Sequence, residues 1–349
     1  MKKNEIRESL VLKHLITEYI KTNTTVSSRI LCDKYVPHVS PATVRIDLHK
    51  LEDKNFIYQP HTSAGRVPTI SGYRKYLDMI KPEINQTSYK HSELIREFLI
   101  ANYKDTPLAL HYIMQLLAKE SDQLSFVAEP EISFGVLRKL DVFRIDMRKL
   151  LFVISLDSGM DKTVILKTDY DISEQQLKVL VRYANDELEG LRIFDIRNKI
   201  LPENDKKNNN KLLALFLNEI RKVLREISNY YIHFDSNITF LEQPEFNEKS
   251  NILTFMDFIQ HQDFLIKTMQ NNWIENSDYC VITGEELGRT QWSNYALIFA
   301  KYEIFDVPGY LGLIGPVRMD YIKNIPVIRD IAKTITKTTK KGMMVPCYE

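Results

Sequence analysis

The stretch SPATVRIDLHKLED, residues 40–53, leaves few alternatives for its local structure. Ser40 carries the short oxygen-bearing side chain that caps a helix. Pro41 suits the first helical position, where the missing N–H has no intrahelical partner to lose. At 100° per residue Val44, Leu48 and Leu51 share one face, expected to be buried. Ala42, Ile46, His49 and Asp53 fall on the opposite face, flanked by Thr43, Arg45 and Lys50. Two helices are expected upstream. EIRESLVLKHLITEYIKTN places Ile6, Leu12, Leu15, Ile16, Tyr19 and Ile20 near one face, and SSRILCDKY is short and capped by Ser27. Two helices, a turn and a third helix exposing small, polar and basic groups describe a helix-turn-helix, whose last helix enters a major groove. A small three-helix bundle with a solvated face has the same periodicity.

The next segment separates these readings. NFIYQ, HTSAG and RVPT predict strand, tip and strand, the order of a winged helix. Pro60 and Pro68 restrict the segment to a hairpin edge, Gly65 is expected to supply the positive φ of a tight reversal, and Arg66 to point outward. Such a tip would lie beside the recognition helix, within reach of phosphates or the neighbouring minor groove. The residues assigned to DNA are therefore Ser40, Ala42, Thr43, Arg45, Ile46, His49, Lys50, His61, Thr62, Ser63, Gly65 and Arg66. Charge distribution agrees with this placement. Residues 1–80 hold 13 Lys+Arg and 8 Asp+Glu, a balance of +5, whereas the rest of the chain holds 34 and 38. A basic head on a slightly acidic body is the footprint of a DNA-binding module.

Further on, GYRKYLDMI extends the head as a helix, and a polar linker is expected to start at Pro82. Helical sequence leads to the short strands LDVFRI, LLFVISL and KTVILK, read as an antiparallel sheet. Leu177, Leu180, Val181, Ala184 and Leu188, then Leu213, Phe216, Ile220, Val223, Leu224 and Ile227, line the apolar faces of a helical block that interrupts the strand series. The series resumes with YIHFDSNITFLEQPEF, YCVITG, YALIFAKYE and YLGLIGP. Helical faces that cannot all be satisfied within sixty residues call for a second surface, such as a symmetric dimer; the alternative is that they pack on their own sheet.

VSSR, SPATVRIDLHKLED and QPHTSAGRVPTISGYRKYLD resemble the N-terminal signature of the heat-inducible transcription repressor HrcA family. LEQPEF (Leu241 to Phe246), ITGEE (Ile282 to Glu286) and IGPVRMDY (Ile314 to Tyr321) resemble further family motifs in the family's order, so the resemblance covers nearly the whole chain. It implies an α+β multidomain protein: a winged helix-turn-helix over 1–81, connecting helices over 82–125, a GAF-like α/β domain over 126–170 and 233–340, an inserted helical dimerisation domain over 171–232, and a tail over 341–349. It also implies a homodimer on double-stranded DNA, at the inverted-repeat operator called CIRCE upstream of chaperone operons. A GroEL-type chaperonin would maintain the repressor in its active form until heat-unfolded proteins occupy it. The chain departs from the family in two places: Ile46 stands where Asn is usual, and FAKYEIFDVPGYLG replaces a glycine-rich strand connection.

No catalytic constellation accompanies these motifs. His111, His233 and His261 are isolated, and no G-x-S-x-G, Walker loop or H-E-x-x-H occurs. Asp157, Asp161, Asp169 and Asp171 read as turn formers rather than metal ligands, and Arg318 with Asp320 as a local ion pair at a Gly-Pro bend. Cys32, Cys280 and Cys347 lack disulfide-framework or zinc spacing. With no apolar run of 18 residues and no signal-peptide pattern, a cytoplasmic protein without membrane contact is expected. The expectation is a repressor with no enzymatic activity, cofactor or metal. The competing reading is a transcription factor that senses a small molecule in its GAF-like pocket.

Overall fold

A computed structural model describes residues 3–90, 92–102, 105–169, 171–198, 211–226, 231–235 and 238–340. Ile227, the ENDKKNNN run and the tail over 341–349 lie outside the described residues. The head consists of α1 (Lys3–Thr22), α2 (Ser28–Lys34), α3 (Pro41–Asp53), the antiparallel pair β1 (Ile57–Tyr58) and β2 (Val67–Pro68), and α4 (Ile70–Gln86). α1 buries Val11, Leu12, Leu15 and Ile16, whereas Ile6, expected on the same face, is 55% exposed. Pro82 does not open a linker: α4 runs through it to Gln86, because Ile80 and Ile84 on either side are fully buried.

α5 (Ser92–Ala101) and α6 (Thr106–Ser121) lead to the body. There β3 (Leu124–Ala128) begins a five-stranded antiparallel sheet completed much later in the chain. Between them come β4 (Leu137–Asp146), β5 (Lys149–Leu156), β6 (Asp161–Lys167), α7 (Glu174–Leu188), α8 (Ile193–Asn198) and α9 (Lys211–Glu226). The remaining elements are β7 (Ile232–Phe234), α10 (Lys249–Gln260), α11 (Gln262–Asn272), β8 (Cys280–Thr283), β9 (Tyr295–Ile304), β10 (Val307–Pro316) and α12 (Tyr321–Thr338). The large sheet runs β7-β3-β10-β9-β8. β9 and β10 are joined through Phe305 and Asp306 alone, both at positive φ (51° and 67°), so the two-residue turn forms without the glycines usual for it.

The strand series read from the sequence divides between two sheets. β4, β5 and β6 pair only with one another, among the described residues, and share a closed core with α7, α8 and α9. Leu150, Phe152 and Ile154 of β5 face Leu177, Leu180, Phe216 and Ile220. The helical faces are thus covered by their own strands, which removes the argument that they need a partner. The exposed apolar surface lies instead on the other side of that sheet, where Phe143, Leu151 and Ile165 stand in register. Phe143 is 55% and Ile165 60% exposed.

The head is tied to the body in a different manner. One continuous core runs from Val11, Leu15 and Leu48 through Ile80 and Ile113 to Ile298 and Ile335, joining the head, α5 and α6, one face of the large sheet and α12. The other face of that sheet carries a separate aromatic core containing Phe255, Phe258 and Trp292.

Candidate nucleic-acid interface

The start of α3 forms as its sequence dictates. The Ser40 hydroxyl accepts the Thr43 N–H at 3.2 Å, and Pro41 occupies the first turn. Val44, Leu48 and Leu51 are buried, which turns Ala42, Arg45, Ile46 and His49 outward as one exposed stripe. Ile46 is 57% exposed, an unfavourable setting for isoleucine in water. Arg45 lies 3.4 Å from the Ser28 hydroxyl through Nε and makes no salt bridge among the described residues. The tip residues His61, Thr62 and Ser63 are exposed, and the Gln59 amide holds the turn by donating to the Thr62 and Ala64 carbonyls at 2.9 and 2.8 Å.

Two expectations for the tip are corrected. Gly65 is not among the positive-φ residues. Its requirement is space: a Cβ there would come within 2.6 Å of the Val26 backbone, which exchanges two hydrogen bonds with Arg66 at 2.8 and 2.9 Å. Arg66 does not project from the tip either. Its side chain turns inward, only 11% exposed, and Nη2 lies 3.0 Å from Glu52 Oε2. Glu52 sits one helical turn beyond Leu48, so the end of α3 draws the guanidinium back against the helix.

Lys50 is likewise engaged. It and Lys54 donate to the two oxygens of Glu8 on α1, at 3.1 and 2.6 Å, and together hold that carboxyl below the usual carboxylate range. Asp47, which sequence reasoning passed over, is fully buried on the core side of α3 and accepts from Arg7 Nε and Nη2 at 2.6 and 3.0 Å. The signal available for it was a carboxylate placed between Val44 and Leu48 on an apolar face, with basic residues in the first turns of α1. Of the twelve assigned residues, the structure presents Ala42, Arg45, Ile46, His49, His61, Thr62 and Ser63 outward. It uses Ser40 and Thr43 for the cap, Lys50 and Arg66 for ion pairs with the head, and Gly65 for close backbone approach.

Arg318 and Asp320 do not pair. Asp320 caps α12 by accepting the Lys323 N–H at 3.1 Å, and Arg318 is bidentate to Glu245. Among the described residues no group of three potential ligands stands close enough to hold a metal ion, and no helix is long and apolar enough to cross a membrane. A cavity of about 580 Å³ opens between α6 and β7, with Leu110, Met114, Val127 and Ile232 on its walls. Glu129 reaches its rim, where burial pushes the carboxyl up but His233 at 2.8 Å and Lys162 at 2.5 Å outweigh it, leaving a net lowering.

A family model described as the HrcA protein C terminal domain matches residues 108–325. The chain is 31% identical to the heat-inducible transcription repressor HrcA of Natranaerobius thermophilus, with 96% of this chain and 97% of that protein covered. It is 28% identical to the HrcA of Syntrophobacter fumaroxidans, with 95% and 96% covered. A crystal structure described as that of a hypothetical protein superposes with a TM-score of 0.60 over 95% of this chain and 98% of that one, at 22% identity, a likeness of fold.

Proposed function

Because this chain belongs to the HrcA family of heat-inducible transcription repressors, we propose that its head is a winged helix-turn-helix that binds an inverted-repeat operator of the CIRCE type. It is a heat-shock repressor and not an enzyme. The observation that carries the operator reading is the outward stripe of Ala42, Arg45, Ile46 and His49 on a helix whose opposite face is sealed into the head. A major groove admits an α-helix and presents base edges to such a stripe. The exposed tip at His61 to Ser63 lies at the end of the hairpin that follows, suited to the flanking backbone.

The repressor acts as a homodimer. The in-register row of Phe143, Leu151 and Ile165 supports this, since an apolar row left in water on one face of a sheet is what a two-fold interface covers. A GroEL-type chaperonin maintains the active form, in the cytoplasm. The test is a mobility shift of an inverted repeat from upstream of the host's chaperonin genes, with and without chaperonin. Retarded DNA whose yield rises with chaperonin supports the reading; no shift at low salt sinks it.

The cavity beside α6 favours the second reading, a small-molecule sensor, because its apolar walls and its polar rim at Glu129 suit a ligand. Stoichiometric ligand retained through purification, together with operator binding that depends on it, would decide for the sensor.

A further inference from the structure

Three motifs far apart in the sequence meet against the head. Glu245 comes from the segment 241–246, Gly284 and Glu286 from 282–286, and Arg318 from 314–321. Arg318 donates from Nε and Nη2 to the two carboxylate oxygens of Glu245, at 2.5 and 3.0 Å, and from Nη1 to the Ile20 carbonyl at 2.6 Å, in the last turn of α1. Glu286 pairs with Arg74 on α4. Gly284, at φ +61°, lies so close to Ile70 at the start of α4 that a Cβ would come within 2.8 Å of its side chain.

The contacts along this seam differ in kind. α4 packs on α12 through apolar side chains and through Arg329, whose Nη1 donates to the Ile84 carbonyl at 2.9 Å near the end of α4 away from the wing. At the wing, packing is incomplete: a crevice of about 220 Å³ runs between Tyr58 and Val67 of the hairpin and Tyr295 and Val317 of the body. The Tyr73 side chain borders it, with a buried hydroxyl that has no hydrogen-bond partner among the described residues. Arg318 and Glu245 stand at this crevice, and a forked guanidinium on a carboxylate is planar and directional in a way that apolar contact is not.

We propose that Arg318, held by Glu245 onto the Ile20 carbonyl, is a positioning residue for operator binding, fixing the rotation of the head on the body and so the half-site spacing that the dimer accepts. The proposal rests on the dimeric repressor reading. Adding one base pair to the spacer turns a half-site by about 35° and moves it by about 3.4 Å. A head fixed in rotation cannot follow such a change, and a released one can.

The experiment measures binding to the parent operator, to operators with one base pair added or removed in the spacer, and to a single half-site. The proteins are wild type, the double variant Arg318→Met with Glu245→Gln, which leaves no buried charge unpaired, and Arg318→Lys, which keeps the charge and loses the fork. Wild type is expected to discriminate by about tenfold against either altered spacer, and both variants by less than about threefold, since only simultaneous docking of two heads reports their relative orientation. Half-site affinity and its salt dependence stay unchanged. Should the double variant not fold, Arg318→Lys alone gives the readout. Wild-type spacing discrimination in a folded variant overturns the proposal. So does a uniform loss on every DNA, half-site included, with a lowered melting temperature, which marks a merely structural pair. Wild type that fails to bind even the parent operator removes the repressor reading, and this proposal with it.

Discussion

The head and the three-stranded module are joined to the same body by opposite means. The head shares its core with the body, so that Leu15 and Ile335 belong to one apolar cluster. The module of β4–β6 and α7–α9 closes a core of its own. Besides its two chain connections it meets the body through polar contacts: Lys162 from β6 donates to Glu129 on the segment after β3, and the Thr106 hydroxyl of α6 donates to the Ser158 carbonyl at 2.8 Å in the turn between β5 and β6. A shared core transmits strain and orientation, because packed interiors deform little. A separate core insulates, and lets one region vary without disturbing the other.

The strongest way to break this comparison is to cut a hole in each core. Phe152→Ala, in the module, and Leu15→Ala, in the head, should each remove about 3–5 kcal/mol. Calorimetry is expected to show two transitions, with Phe152→Ala lowering one and Leu15→Ala lowering the other, body included. A single transition moved equally by both substitutions would dissolve the distinction.

Next in size is the outer face of the module. Phe143→Asp with Ile165→Asp is expected to give a monomer in sedimentation and to weaken operator binding by about a hundredfold, through loss of the linked second head. Both positions are mostly exposed, so the module's own transition should stay where it is. Deleting residues 171–232 is a poorer test, since those helices are the cover of β5. A variant that still sediments as a dimer places the interface elsewhere.

At the head, Ile46→Asn should sharpen preference for adenine at one symmetric position by about 1–3 kcal/mol, because the amide pairs with an adenine edge where isoleucine offers only apolar contact. Binding profiles across all bases at each half-site position would show it. Identical profiles and affinities remove residue 46 from the readout surface.

Arg45 and Arg66 then separate contact from scaffold. Arg45→Ala should lower the salt slope of binding by about one unit. Arg66→Ala should leave the slope intact and cost on the order of 1 kcal/mol of stability, since its guanidinium is spent on Glu52. A slope lowered by Arg66→Ala would show that the side chain swings out on binding DNA.

The smallest effect is in acid. Glu8 is held low by Lys54 and Lys50, and Glu18 by Lys34 and the Tyr35 hydroxyl. Carboxyls depressed in the folded state add stability above their ordinary value of 4.5, and that stability is lost as pH falls through the folded value. The head-and-body transition should therefore fall in temperature below about pH 4.5, and Glu8→Gln should flatten the decline. A wild-type slope retained in Glu8→Gln would assign the acid sensitivity to other carboxyls.

What the sequence made legible follows from how local each cause is. Ser40, Pro41 and the spacing of Val44, Leu48 and Leu51 act within one helix, and the structure places them as read. Ser27 caps α2 for the same reason, accepting the Ile30 N–H at 3.3 Å. The direction of Arg66 depends on Glu52 in another element, and that of Arg318 on Glu245, 73 residues away. Periodicity carries no record of such partners. The same holds for the strands: LLFVISL alternates as a half-buried strand should, but nothing in its alternation says which sheet it joins. Gly65, close to two prolines, has the pattern of a turn residue, while its cause, the Val26 backbone, lies 39 residues earlier in the chain.

The shared core also sets a timetable during synthesis. Tyr321 to Ile335 on α12 help cover α4, so during synthesis the apolar surface of α4 waits for a helix that begins 235 positions after α4 ends. At about 5–20 residues per second, the interval between the two is on the order of tens of seconds. Throughout it the newborn repressor presents uncovered isoleucine and tyrosine to its surroundings, the condition under which a chain needs an escort. The exposure follows from the sequence distance between α4 and α12 alone.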